Sequence, residues 1–137
     1  MRELKRIILH CTATQLEQQV NVSKIDSWHR NRGWSEIGYH YVLYLDGTIA
    51  TGRDIRKQGA HAKGHNHDSV GVAYVGGLDN NLVPQDTMTM QQEMAFLHLV
   101  NSLRVVFGAL SVHGHNEYSS KACPSFDVQV KYNFLNK

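Results

Sequence analysis

The sequence predicts an α/β fold: a central mixed β-sheet flanked by helices, in a single domain spanning residues 1–137. Three observations support this. Short β-rich runs are interleaved with segments of helical spacing, and such interleaving gives a sheet covered by helices. Two of the runs flank Asp46-Gly47, a strong hairpin signal, so at least one strand pair is antiparallel. No Pro/Ser-rich linker, internal repeat or low-complexity tract interrupts the chain, and 137 residues can bury a real core without disulfide staples.

The elements follow in order. Arg6 to Cys11 reads as a buried strand. Val22, Ile25, Trp28 and Arg32 keep helical spacing, and Gly33 supplies the stop. Tyr39 to Leu45 and Thr48 to Thr51 form the hairpin. Val70 to Val75 is a further strand, ended by Gly76-Gly77. Thr89 with Gln92 makes a capping box. It opens a helix whose expected apolar face is Met90, Met94, Leu97, Val100, Leu103 and Phe107, closed by Gly108. Ala109 to His113 is a short strand. In the tail, Phe126, Val128, Val130, Tyr132 and Phe134 alternate with polar residues, which favours a strand, although Phe126, Val130 and Phe134 also fit helical spacing.

Composition excludes several classes. Apolar content of 42% with 19% charged residues describes a globular chain, not a disordered one. A net charge of +2 with no basic run argues against a nucleic-acid partner. No apolar stretch is long enough to span a membrane, and no secretory signal is read before His10, so synthesis in the cytoplasm is expected.

The chemistry concentrates in nine histidines and two cysteines. His115, Lys121 and Cys123 fall within nine residues, and His10 ends the N-terminal strand. Two imidazoles and a thiolate are good zinc ligands, and three protein ligands leave a position open for water, as catalytic zinc sites do. Strand alternation sends Cys11 to the face opposite His10, into core. His113 rivals His115 as a ligand. Cys123 reads either as a ligand or as a nucleophile served by a histidine, and an inert buried thiol is the bland alternative. Lys121 is either an oxyanion stabiliser beside the thiolate or an ordinary solvated lysine. Tyr39 taken alone is a packing residue. The segment from Gly59 to His67 is a binding loop or a flexible surface loop, and it lacks phosphate-loop spacing.

Taken together, the motifs Ile8-Leu9-His10-Cys11-Thr12-Ala13-Thr14, Gly33-Trp34 with Gly38-Tyr39-His40-Tyr41, Asp46-Gly47-Thr48 with Gly52-Arg53-Asp54, Gly59 to Asn66, Ser69-Val70-Gly71-Val72, His115-Asn116-Glu117 and Lys121 to Asp127 run in order across nearly the whole chain. In this the sequence resembles the zinc-dependent N-acetylmuramoyl-L-alanine amidases of the phage-lysozyme type, relatives of the peptidoglycan recognition proteins. The resemblance implies that His10, His115 and Cys123 hold one zinc ion, with His115 preferred to His113. It implies that Tyr39 and Lys121 are catalytic and that His61 and Asn66 line the substrate groove. It also implies a helical tail over Ser125 to Leu135, and a site in a surface groove on one face of the sheet.

The activity so implied is hydrolysis of the amide between the lactyl group of N-acetylmuramic acid and L-alanine of the stem peptide, as a phage or prophage endolysin. Expected partners are peptidoglycan or muropeptides, with no membrane, and the protein is expected to be a monomer. It would reach the cell wall through a separate pore-former. The alternatives are a non-catalytic peptidoglycan-binding module of the same fold, whose members typically lack the cysteine ligand, and a cysteine peptidase using Cys123. His113-Gly114-His115 departs from the family pattern, and with only nine residues before His10 no extra N-terminal role is assumed.

Overall fold

The computed structural model describes residues 1–137. Eight principal elements run in the order β1 (Arg6–Cys11), α1 (Val22–Asn31), β2 (Tyr41–Leu43), β3 (Ile49–Thr51), β4 (Ser69–Tyr74), α2 (Met90–Phe107), β5 (Ser111–Gly114) and α3 (Val128–Lys131), with single 3-10 turns at Asn66–Asp68, His115–Glu117 and Asn133–Asn136. The strands form one sheet in the order β3-β2-β4-β1-β5. β1 pairs parallel with β4 and β5, β2 pairs parallel with β4, and β2–β3 is the antiparallel hairpin, so the sheet is mixed as expected. At the hairpin the Gly47 N–H donates to Tyr44 O, and Gly47 sits at φ 90°, a conformation glycine enters without steric cost.

Side-chain alternation divides the sheet into two different faces. Ile7, Leu9 and Cys11 of β1, Val70, Val72 and Tyr74 of β4, and Val112 of β5 join α2 and α3 in the main core. The opposite face of β4 carries Ser69, Gly71 and Ala73, all small, and register places Gly71 and Ala73 beside Ile8 and His10 of β1. Side-chain volume is therefore withheld next to His10, and imidazole rings occupy the space. α1 covers the β2 end of this face through Ile25, which packs with Ile37, Val42 and Val75.

The structure corrects the expected apolar face of α2. Met90, Met94 and Leu97 are exposed, and the buried stripe is Gln92, Ala95, Phe96, Leu99, Val100 and Leu103. Hydrophobicity alone missed it because the first buried residue is polar. The Gln92 side-chain amide donates to Leu43 O and Val75 O at 3.1 and 3.0 Å, while its Oε1 accepts from the Thr89 N–H in the capping box.

The tail is helical rather than extended, but only α3 and a following 3-10 turn are formed, later and shorter than Ser125 to Leu135. Asp127 caps α3 by accepting from the Gln129 and Val130 N–H groups. Val128 and Tyr132, four apart, go to the core, while Val130 and Phe134 are exposed. The alternating pattern misled because two of its apolar positions face solvent.

Candidate active site

β1 ends at Cys11, so His10 lies on the last turn of pleat at the sheet's C-terminal edge, facing away from the main core. β5 ends at Gly114, and His115 opens the following 3-10 turn. Because β5 pairs with β1 up to Leu9 opposite Gly114, this turn brings His115 beside His10, with ring centroids 4.5 Å apart. Cys123 arrives from the loop before α3. Its Sγ lies 3.6 Å from His10 Nδ1 and accepts the Cys11 backbone N–H at 3.3 Å. The neighbouring Cys11 thiol and burial push the Cys123 thiol up, so its deprotonation as a ligand would come from the metal itself. The ligand atoms of His10, His115 and Cys123 all lie within 4.8 Å of one another.

This donor set fits zinc. Bonds of about 2.0–2.3 Å in tetrahedral geometry separate ligand atoms by roughly 3.4–3.8 Å, so the Cys123–His10 spacing needs no change and the third needs only a small closure. Protonation is also suitable. Burial, reinforced by His61 and His115, holds the His10 imidazole well below its ordinary pKa, and burial followed by the Lys121 charge lowers His115. Both rings are therefore neutral near pH 7, the form a metal requires.

His113 is not part of the group. Its Nδ1 pairs with Glu117 at 2.9 Å and its Nε2 with Ser111 Oγ at 2.7 Å, so both ring nitrogens are engaged at the edge of the sheet. Cys11 is buried in the core, as strand alternation required.

Tyr39 and Lys121 line the same cleft as the three donors, a cavity of about 180 Å³. The Tyr39 ring packs 5.0 Å from His10 and 5.3 Å from His29, centroid to centroid. Burial, with the nearby thiols, pushes its phenol well above the ordinary range, so Tyr39 presents a neutral O–H donor. Lys121 is exposed at the rim, and its Nζ forms no ion pair in the protein. A groove of about 500 Å³ continues from the cleft past Trp34, Lys63, Tyr118 and Ser119. A separate cleft of about 540 Å³, lined by Lys5, Arg104, Leu110 and Leu135 among others, contains no histidine, cysteine or carboxylate side chain.

His61 and Asn66 stand in the wall of this groove, and their polar atoms are largely engaged within the protein. His61 Nδ1 meets His10 Nε2 at 2.8 Å and its Nε2 meets Ser69 Oγ at 3.2 Å. Asn66 Oδ1 accepts the backbone N–H groups of His61 and Ala62 at 2.9 and 2.8 Å, which leaves only its amide nitrogen for a ligand.

Sequence reasoning missed His29. It lies on the buried stripe of α1 four residues after Ile25, and that spacing was the available signal. Its Nδ1 accepts the Gly38 N–H at 2.8 Å, so the ring carries its proton on Nε2, and it lines the cleft between Trp34 and Tyr39. The bond fixes the backbone one residue before Tyr39.

Fold and site together define a class: an α/β domain that gathers two imidazoles and a thiol, where a metal ion can be held, beside a phenol and a free ammonium. Comparison with known proteins is specific. Residues 1–126 match the model of the N-acetylmuramoyl-L-alanine amidase family, and the chain belongs to that family. It is 40% identical over 123 residues to the endolysin of Escherichia phage T7, covering 90% of this chain and 82% of that one. Identity with the endolysin of Enterobacteria phage K11 is 39% over 128 residues, covering 93% and 85%. Among solved structures, the N-acetylmuramoyl-L-alanine amidase LysC from Clostridium intestinale superposes with a TM-score of 0.82 at 29% identity, covering 96% of this chain and 87% of that one. Bumblebee PGRP-SA shares the fold, with a TM-score of 0.78 at 23% identity.

Proposed function

We propose that the protein is a zinc-dependent endolysin amidase that cleaves the bond between the lactyl group of N-acetylmuramic acid and L-alanine of the peptidoglycan stem peptide. The observation that carries this reading is the convergence of His10, His115 and Cys123 with Tyr39 and the unpaired Lys121 on one cleft that opens into a groove. Family membership and the endolysin relatives supply the substrate class.

His10, His115 and Cys123 would hold the zinc ion, which when bound lowers the pKa of its water to about 7 and polarises a carbonyl as a Lewis acid. The protein's own groups then have definite work. Addition of water to the lactyl carbonyl places negative charge on its oxygen. The Tyr39 hydroxyl and the Lys121 ammonium, both at the cleft, donate hydrogen bonds to that oxygen as the charge develops. The carbon–nitrogen bond breaks, the nitrogen leaves as the protonated amine of L-alanine, and the lactyl group departs as a carboxylate. The groove beyond Lys121 takes the remainder of the stem peptide, with Lys63 available to its carboxylates. The enzyme acts on the cell wall as a monomer.

Digestion of purified peptidoglycan tests the reading. New N-terminal alanine without new reducing sugar ends is expected. New reducing ends would show a glycosidase, and binding of muropeptides without cleavage by the zinc-loaded protein would show a recognition module.

A further inference from the structure

The His61 side chain does more than line the groove. The ring is buried, 8% exposed, and stands edge-on to His10 at 85° with centroids 4.9 Å apart. His10 has two nitrogens: Nδ1 faces Cys123 at 3.6 Å, and Nε2 faces His61 Nδ1 at 2.8 Å. A metal ion held by the three donors would take the Nδ1 lone pair, leaving the His10 proton on Nε2. That proton would then be donated to His61 Nδ1, placing the His61 proton on Nε2, toward Ser69 Oγ 3.2 Å away. The reverse arrangement, with Ser69 donating to His61 and His61 to His10, puts the His10 proton on Nδ1, where it blocks the metal. The ligand's tautomer and the direction of the buried chain are one variable.

The surroundings hold the His61 ring in this place. A Cβ at Gly71 would lie 2.6 Å from His61 Cγ and Cδ2, and one at Gly59 would lie 2.7 Å from Cδ2, so the imidazole packs directly against the backbone at both glycines. Asn66 Oδ1, accepting the N–H groups of both His61 and Ala62, pins the loop that delivers the ring. A residue meant only to contact a ligand would not need a slot cleared on two sides, nor both ring nitrogens engaged within the protein.

We propose that His61 is a positioning residue for the metal: through Nδ1 it orients the His10 ring and fixes its tautomer, with Ser69 as the terminus of the chain. Metal-binding histidines commonly donate their second N–H to a carboxylate, carbonyl or water. Here the acceptor is a neutral imidazole, so His10 is oriented without an added buried charge. This rests on the reading of His10 as a ligand.

The test uses zinc alone, titrated into metal-free protein against a chromophoric chelator. His61→Leu, which lacks the acceptor, should weaken zinc binding about 10- to 100-fold, while His61→Asn, whose amide oxygen sits near the Nδ1 position, should recover most of the loss. Parent-like affinity in a cooperatively folded His61→Leu protein would overturn the proposal. His10→Ala separates the layers: if it binds zinc like the parent, the ligand set itself fails, whereas weak binding there beside parent-like His61→Leu removes only the positioning role. Should His61→Leu not fold, the imidazole nitrogen NMR spectrum of the zinc-loaded parent still decides. His10 and His61 should each carry the proton on Nε2, and a His10 proton on Nδ1 would overturn the inference.

Discussion

Gln92→Met keeps the length and nearly the volume of the side chain while removing every hydrogen bond it makes, so it isolates the polar content of the α2 stripe. Three bonds disappear. Val75 O receives the Gln92 amide at 3.0 Å and has no other protein donor, so it becomes a buried orphan costing about 1–3 kcal/mol. Leu43 O loses the Gln92 amide but keeps the Val75 N–H at 2.9 Å, which limits that loss to about 0.5–1.5 kcal/mol. The Thr89 N–H loses its reciprocal partner in the capping box, worth about 1 kcal/mol. The thioether regains part of this by burying apolar surface, and a net destabilisation of about 2–4 kcal/mol is expected. Urea denaturation followed by tryptophan fluorescence measures it, with the midpoint moving and the slope unchanged. A variant within about 0.5 kcal/mol of the parent would refute the view that Gln92 ties α2 to the ends of β2 and β4.

Four further outcomes are expected. Tyr39→Phe and Lys121→Ala should each lower the rate on peptidoglycan by about 10²–10³-fold while leaving zinc binding and melting temperature near the parent's, checked by turnover and metal analysis. Near-normal turnover in both would remove them from the reaction. Gly71→Ala should drive the His61 ring from its slot, because the new methyl would lie 2.6 Å from ring atoms, and zinc affinity should fall although residue 71 touches no metal. Buried His29 and His40 are held at about 4, chiefly by burial, against about 6.5 unfolded. The unfolded chain therefore binds more protons between those values, and stability is lost as pH falls through that window, by about 1.4 kcal/mol per pH unit per ring. Urea midpoints at pH 7 and pH 5 measure the slope, and His40→Asn should make it shallower; a stability that does not fall toward pH 5 contradicts the buried neutral rings. His113→Ala should bind one zinc ion as the parent does, since its ring nitrogens face Ser111 and Glu117.

Most of the fold was legible because local signals agreed with tertiary ones. Asp46-Gly47 marked the hairpin, and the cap at Thr89 marked the start of α2. Two of the misreadings share a physical cause, which is that hydrophobicity is a poor guide wherever a polar side chain is buried on a bonded network. Gln92 displaced the apparent face of α2 in this way, and His29 escaped notice on the buried face of α1. The tail misled for the converse reason, with Val130 and Phe134 left in solvent.

At the site, strand alternation alone separated His10 from Cys11. The choice of His115 over His113 came from family resemblance, and the reason for it lies in the register: His113 pairs opposite Ile8, whereas the chain beyond Gly114, opposite Leu9, brings His115 beside His10. The His10–His61–Ser69 chain was invisible in sequence, because its members are 51 and 8 residues apart and meet only where β4 is stripped to Ser69, Gly71 and Ala73.

The most direct test of the central claim is metal content and peptidoglycan cleavage measured on the same samples: parent, His10→Ala, His115→Ala and Cys123→Ser, each before and after chelation and zinc return. One zinc ion per parent chain is predicted, lost with activity on chelation, restored with it, and strongly weakened in each variant. Cleavage that survives chelation but ends on thiol alkylation would contradict the account and make Cys123 a nucleophile.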